Sequence, residues 1–485
     1  MWNHEISKFL GDNLVQLTLL HTNDLHGRIH QLARIVTLIK QIRSEVVLAG
    51  GVCFYFDCGD CEDTVQLESC LTRGSSMHAL MQAATCDLAA LGNAIPIRYG
   101  QQAVENLAKA FGKPLLCANL YEKNGELVKG LEPYKILETT GIKIGVIGIT
   151  DPMRAYSTFF GLDPKDPTEL LPGLIEQVRA IGAQTVILLS HFASKNDIPL
   201  AEKVSNIDVI LSGHDHQQIN PPLEVNSTLI MESGEFGEFL GRLDLILDEN
   251  TGRVINSRGE LIPIVDDISP DQDFLEAVKT QEKQVDTLMS EKIGDILHPI
   301  NCLSDVECAA GNLLADALLE YVDGAQVAFV INGHWTNGLT EGKVTQRDLY
   351  TANRSAGNPA RIKLSGKQIK DFLVAALKPE NIERKLHPLR GKECGWPHVA
   401  GISVSVGAED PEKLEIMMNG RNIQPFDEFI VAASDLEFSE ILGYLPIADE
   451  EIEYEVPTIL PEVVEAYLKK HTPLMPGTEK RIQFK

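Results

Sequence analysis

The chain has 485 residues, and 43 Lys+Arg against 69 Asp+Glu leave a formal net charge of −26 at pH 7. At roughly 100–200 residues per domain, that length predicts two or three domains with cores of their own, and 44% hydrophobic with 23% charged residues excludes a disordered chain. The acidic balance argues against nucleic-acid backbones and anionic membranes as partners; an anionic substrate would need a locally positive anchor, for which bound metal ions are the obvious candidate.

No apolar run approaches the roughly 18–20 residues that span a bilayer, and Met1-Trp2-Asn3-His4-Glu5 lacks the basic and apolar segments of a signal peptide. The nine cysteines are odd in number, and Cys53 and Cys117 sit inside apolar runs. They read as reduced thiols, and a cytoplasmic protein is expected.

In chain order, residues 15–20 read as an apolar strand, and Leu32, Ile35, Val36, Ile39 and Ile42 then fall on one helical face. A strand at 53–56 precedes helix-compatible sequence up to Cys86. Further strands read at 87–91, 144–149, 185–189 and 209–211, with an amphipathic segment at 169–181. This alternation predicts an α/β layer fold. The polar stretch 269–291 reads as an exposed helix joining two domains. Beyond it, a second unit mixes helices at 311–321 and 367–377 with strands at 328–331, 402–406 and 429–432.

Polar residues of metal-ligating type follow strand after strand, where α/β folds place their sites. The first is followed by His21-Thr22-Asn23-Asp24-Leu25-His26-Gly27, the second by Asp57-Cys58-Gly59-Asp60, the third by Gly92-Asn93. Later ones end in Ser190-His191 and in Ser212-Gly213-His214-Asp215-His216. Two carboxylates, four imidazoles and an amide suit zinc, manganese or iron. Two such ions about 3.5–4 Å apart would clamp a phosphoryl group and activate a shared water.

With these motifs the chain resembles the metallophosphoesterase/5′-nucleotidase family from about Leu17 to about Gln483. The resemblance implies an N-terminal four-layer αββα metallophosphoesterase domain (14–262), a linker helix (263–295) and a C-terminal α/β 5′-nucleotidase specificity domain (296–485). It further implies that Asp24, His26 and His216 bind one divalent ion (manganese, zinc or similar), that Asn93, His191 and His214 bind a second, and that Asp60 bridges them. The expected reaction is attack of a metal-bound hydroxide on a small-molecule phosphoester, with a nucleotide as substrate. A nucleotide sugar or other diester or pyrophosphate, and a weakened nucleotide-binding protein, are the alternatives. The run 307–317, Asn332-Gly333, Gly357-Asn358, Leu364-Ser365-Gly366 and Val399-Ala400-Gly401 follow the family's order in the C-terminal part.

Several positions depart from the family pattern. The His/Asp pair expected after Gly92-Asn93 is replaced by Ala94 and Ile97, so Arg98 and His334 become the candidate catalytic groups. An arginine is lost from Asn332-Gly333-His334-Trp335-Thr336-Asn337, for which Arg354 or Arg361 are possible substitutes. Asn332, Gly357, Asn358, Trp396, Phe438 and Tyr444 are the candidate substrate-binding residues, with core packing the competing role for each aromatic. Cys58 and Cys61 flank Asp60 and read as loop packing, a thiol switch or an extra soft ligand. His4, His30, His78 and His387 read as ordinary surface or core histidines, and Lys367 and Lys370 as a solvated helix face.

Overall fold

The computed structural model describes residues 14–485 except 64, 65, 140, 390, 409, 411, 449, 450 and 478. His4 and the side chain of His387 lie outside the described part. By contacts the chain divides into two compact units, Met1–Val285 and Asp286–Lys485.

The first unit supplies β1 (Leu14–Thr22), α1 (Ile29–Leu48), β2 (Val52–Asp57), β3 (Leu88–Ala89), β4 (Tyr134–Thr139), β5 (Ile142–Thr150), α2 (Pro167–Ala180) and β6 (Thr185–His191). It continues with β7 (Val209–Leu211), β8 (Gln218–Val225), β9 (Thr228–Ser233), β10 (Phe239–Asp248) and β11 (Val254–Pro263). Two sheets result, ordered β11-β10-β1-β2-β3 and β8-β9-β7-β6-β5-β4. In the first, β1, β2 and β3 run parallel while β10 and β11 add antiparallel; in the second, the outer strands β8 and β4 are antiparallel to their neighbours and the rest parallel. Parallel strands are covered on both faces, which is why β5 and β6 read as nearly unbroken apolar runs. Leu17, Leu19, Phe56 and Leu245 of the first sheet pack on Ile144, Val146, Ile187 and Leu189 of the second. The opposite face of the second sheet carries Ile147, Val186 and Leu188 against Leu171, Ile175 and Val178 of α2. With the buried stripe of α1 beside β2, this is an αββα sandwich.

Helix α2 starts where Asp166 accepts the Thr168 N–H (2.8 Å) and Pro167 pre-sets the first turn. The helical stretch expected up to Cys86 is two helices, Leu67–Leu71 and Ser75–Ala83, separated at Gly74 with φ +82°. No strand is predicted between 218 and 263, yet β8 to β11 form there. Two prolines in β8 and the polar outward face of β11 mask them, as is common on edge strands.

Helix α3 (Gln272–Met289) forms within the stretch expected to be an exposed helix. Phe274, Val278, Val285 and Met289 are buried along one face, while most of its other residues are exposed. The division between the units falls inside it. Just before it, Lys40 of α1 pairs with Asp271 at 2.7 Å, and Thr37 Oγ1 donates to the Ser269 carbonyl at 2.7 Å.

The second unit contributes α4 (Ala309–Tyr321), β12 (Val327–Ile331), β13 (Pro359–Ser365), α5 (Gly366–Ala376), β14 (Pro397–Ala400), β15 (Glu428–Ser434), β16 (Glu453–Tyr454) and α6 (Leu460–His471). Its main sheet runs β14-β12-β15-β13-β16. A capping box between Ser365 and Gln368 starts α5, which places Phe372 face to face with Phe329 at 3.8 Å between centroids. Among the described residues no helix is long and apolar enough to cross a membrane.

Candidate metal centre

Asp24 and His26 follow β1, Asp60 follows β2, Asn93 follows β3, His191 closes β6, and His214 and His216 follow β7. Backbone bonds tie the first two loops together, Asp24 N–H to Gly59 O at 2.9 Å and His26 N–H to Asp60 O at 3.0 Å. Asp24 (φ 50°), His26 (44°), Asp60 (54°), His214 (87°) and His216 (60°) all adopt left-handed backbone conformations. Each such residue costs on the order of 1–3 kcal/mol and persists only where its surroundings enforce it. Glycine permits the crowding. A Cβ on Gly92 would lie 2.1 Å from Asp60 Oδ1 and 2.2 Å from its backbone nitrogen.

The side chains converge accordingly. Asp24 Oδ1 is buried and accepts no hydrogen bond. It lies 3.3 Å from His216 Nε2 and 3.6 Å from His26 Nε2, and those two nitrogens are 3.4 Å apart. The other oxygen, Oδ2, is fixed by Asn23 Nδ2 and by the His214 N–H, both at 2.8 Å. Beside them, His191 Nε2 is 3.4 Å from Asp60 Oδ2 and 3.0 Å from Asn93 Oδ1. Its Nδ1 is 2.8 Å from the Cys58 carbonyl, to which it donates. Ligand atoms of Asp24, Asp60 and His191 lie within 4.8 Å of one another, as do those of Asp24, His26 and His216. The ring of His214 is 5.0 Å from that of His191.

Burial works to raise the Asp60 pKa, but the neighbouring His191 charge pulls it well below the ordinary carboxylate range. Burial likewise opposes a protonated His191, yet Asp60 lifts its pKa to about 10. Without a cation the cluster therefore balances its carboxylates with an imidazolium proton, a role a metal ion can take over on binding. An orphaned carboxylate oxygen, a mixed N/O donor set and enforced backbone strain together fit a divalent metal.

Other residues complete this centre without having stood out in the sequence. Glu235 Oε2 lies 2.7 Å from His216 Nδ1, and Asp151 Oδ2 lies 3.2 Å from His214 Nε2. Asp151 directly follows β5 and obeys the same strand-end rule as the predicted residues; Glu235 follows β9, a strand the sequence did not reveal. The Arg28 guanidinium stacks 4.3 Å over Phe236, whose ring meets those of His26 and His216.

Residues 17–218 match the calcineurin-like phosphoesterases and residues 293–447 the C-terminal domain of 5′-nucleotidases. The chain belongs to the metallophosphoesterase/5′-nucleotidase family. Its members are metal-dependent phosphoester hydrolases, and this chain is one of them. Metallophosphoesterase YunD of Bacillus subtilis is 27% identical over 428 residues, 87% of this chain and 92% of that protein. The venom 5′-nucleotidase of Crotalus adamanteus is 28% identical over 352 residues, 63% of this chain and 58% of its own length. Haemophilus influenzae NAD nucleotidase shares the fold with a TM-score of 0.63 at 19% identity, over 97% of this chain and 99% of that one.

The remaining predicted positions scatter. At Ala94, where the family's histidine is missing, the structure offers only a backbone N–H, given to Asp60 Oδ1 at 2.9 Å. Arg98 lies half-buried in the first turn of the helix Pro96–Phe111. His334 is not an available acid or base. It is buried in the second unit, with Nδ1 2.8 Å from Ser355 Oγ and Nε2 3.0 Å from Glu437 Oε1. Phe438 is likewise a core residue, its ring edge-on to Phe329 at 5.8 Å. Tyr444 packs against Phe372 in the same core. Asn358 is buried with Nδ2 donating to the Thr458 carbonyl at 2.6 Å, and the Gly357 N–H donates to Ser355 Oγ at 3.3 Å. Asn332 and Trp396 line different cavities of the second unit. Asn332 and Gly333, with Trp335, Thr336 and Lys392, border one of about 440 Å³, while Trp396 borders one of about 590 Å³ beside Phe484. Arg361 is engaged by Glu453 at 2.6 Å and is no substitute anion anchor. Cys58 and Cys61 are fully buried, which pushes both thiols well above their ordinary range, as in a packed loop rather than a reactive thiol switch.

Proposed function

We propose that this chain hydrolyses a small nucleotide phosphoester on a pair of divalent cations. Asp24, His26 and His216 would hold one, Asn93, His191 and His214 the other, and Asp60 would serve both. The observation that carries this reading is Asp24 Oδ1, a buried carboxylate oxygen without a hydrogen bond that faces imidazole nitrogens from two loops. Two divalent ions, when bound, lower the pKa of a shared water and neutralise charge developing on the phosphoryl oxygens.

The chain's own groups prepare that event. The Cys58 carbonyl takes the Nδ1 proton of His191, so that ring turns Nε2 inward as an acceptor, and the Glu235 carboxylate lies 2.7 Å from His216 Nδ1. Asn23, His214 and Ala94 donate to one oxygen of each carboxylate and leave the other toward the centre. Arg28 supplies a guanidinium beside His26 for a phosphate oxygen. In the second unit, Trp335 and Lys392 border the 440 Å³ cavity. The nine cysteines, all free thiols, favour a reducing cytoplasm.

A second reading is favoured by Ala94, which has no proton to give a poor leaving group. A diester or pyrophosphate such as a nucleotide sugar needs less protonation there. Chelator-treated protein reloaded with Mn²⁺ tests both, by elemental analysis and by rates on nucleoside monophosphates, nucleotide sugars and bis(p-nitrophenyl) phosphate. Two manganese equivalents with fastest monophosphate turnover is the expected result. Faster diester or pyrophosphate turnover selects the second reading, and fewer than two equivalents, or no turnover, overturns both.

A further inference from the structure

One residue beyond Asp60, a second group of ligand-type side chains converges that the phosphoester chemistry does not use. Cys61 and Glu62 continue the loop after β2, and His78 projects from the helix Ser75–Ala83. All three are buried, with 1%, 1% and 2% of their surface exposed. Cys61 Sγ is 3.2 Å from Glu62 Oε2 and 3.7 Å from His78 Nε2, and Nε2 is 3.0 Å from Oε2. We propose that Cys61, Glu62 and His78 form a separate, thiolate-bearing site for a soft or borderline divalent ion of the zinc type.

The distances are those of one face of a coordination tetrahedron. With Zn–S near 2.3 Å and Zn–N and Zn–O near 2.0–2.1 Å, tetrahedral edges come to about 3.5 Å for sulfur to nitrogen or oxygen and about 3.3 Å for nitrogen to oxygen. The three observed separations lie within a few tenths of an ångström of these values. An ion bound there would take these three atoms as one face, with the fourth position left to water.

An imidazole–carboxylate hydrogen bond with a nearby thiol is the ordinary alternative, and it leaves too much unexplained. Glu62 Oε1 and His78 Nδ1 are both buried without a hydrogen-bond partner. The pair and the thiol also crowd onto the same carboxylate oxygen. Binding releases the thiol proton, and any proton shared by His78 and Glu62, to solvent. One thiolate, one carboxylate and one neutral imidazole then balance a divalent charge in an enclosed space, which is the condition for burying an ion at all. Sulfur also sets the selectivity. Thiolate ligands favour zinc and related metals over magnesium, calcium or manganese, in contrast to the N/O donors around Asp24 and Asp60.

The position is consequential. Glu62 O accepts from His26 Nδ1 at 3.3 Å, and the Cys61 carbonyl accepts the Gly27 N–H at 2.9 Å. An ion on Cys61 and Glu62 would therefore fix the loop that presents Asp60 and orients His26.

Cobalt substitution of the full-length chain separates this site from the other. Chelator-treated protein is titrated with Co²⁺, and the near-ultraviolet thiolate-to-cobalt charge-transfer band is followed beside metal content. The expected result is a band in the wild type, lost in Cys61→Ser and His78→Asn, with zinc content lower by one equivalent in each. Asp24→Ala, which disrupts the N/O centre, is expected to keep the band. Absence of the band in the wild type, its persistence in Cys61→Ser, or equal zinc content in wild type and both variants overturns the proposal. The wild-type spectrum decides even if a variant misfolds, and the manganese occupancy of the N/O centre is measured independently of it.

Discussion

Asp24 in the first unit and His334 in the second are equally buried, yet Asp24 Oδ1 accepts nothing whereas both ring nitrogens of His334 are occupied, by Ser355 at 2.8 Å and Glu437 at 3.0 Å. Asp24 also sits at φ 50° among four other non-glycine residues of the same centre in the left-handed region. No such strain attaches to His334, which lies in a short 3₁₀ turn between extended residues. Buried polar side chains with complete partners hold a fold together, while those left incomplete and strained await a ligand. Exposure alone does not separate the two classes. Unmet hydrogen-bonding capacity does.

The largest effect expected from this contrast is at Asp24. Asp24→Ala should cost about 10³-fold or more in phosphoester turnover, the equivalent of several kcal/mol of metal-mediated stabilisation, and should lower bound manganese. The substitution removes the unpartnered Oδ1 but also Oδ2, which accepts from Asn23 Nδ2 and the His214 N–H, so the metal-free variant should lose about 1–3 kcal/mol, less than His334→Ala loses. Metal analysis with melts in chelator checks both halves, and a metal-free loss larger than that of His334→Ala contradicts the comparison. His334→Ala should behave in the opposite sense. It removes the imidazole that contacts the buried Glu437 carboxylate, so a loss of about 3–5 kcal/mol of stability is expected with manganese content unchanged. Denaturant unfolding of the two variants side by side makes the test.

How far the sequence reaches follows from the same distinction. The seven residues after β1, β2, β3, β6 and β7 were legible because a polar residue at the end of an apolar strand is locally conspicuous. Glu235 was not, since it lies beyond a strand hidden behind the proline-bearing β8. The roles proposed for His334 and Phe438 failed for another reason. Whether a histidine finds a carboxylate 103 residues away, or a phenylalanine finds Phe329, is decided by tertiary packing and leaves no local trace. His78 is the converse case. It looks like an ordinary histidine until the helix Ser75–Ala83 brings it to Cys61 and Glu62.

A smaller and pH-dependent effect belongs to Asp197, which lies behind the centre and ties two of its strand ends together. Ser190 Oγ donates to one carboxylate oxygen at 2.7 Å and Ser212 Oγ to the other at 2.5 Å. Burial pushes the Asp197 pKa up to about 7 against the hydroxyl bonds that favour the anion. The folded chain thus keeps a proton that the unfolded chain releases near its ordinary value of 3.8. The corresponding stability is fully present below about pH 4 and is lost as pH rises toward 7, by up to about 4 kcal/mol. Asp197→Asn, which holds the neutral shape at every pH, should flatten that part of the melting-temperature profile of metal-free protein. An unchanged slope between pH 4 and 7 would show that Asp197 is ionised in the fold.

Glu235 offers the finest test, because it touches the centre only through His216. Its Oε2 lies 2.7 Å from His216 Nδ1, while the Nε2 of the same ring lies 3.3 Å from Asp24 Oδ1. Glu235→Gln keeps the size and one oxygen acceptor but removes the negative charge that makes the imidazole a stronger donor to a cation. Outer partners of this kind are worth roughly 10–100-fold in metal affinity, so manganese should bind about that much more weakly while the fold is unaffected. Turnover at saturating manganese should then recover most of its wild-type value, since the geometry survives. A variant that stays inactive at every manganese concentration would mean that Glu235 acts on substrate directly rather than through the histidine, and the contrast between incomplete and completed groups would have to be drawn one residue further out.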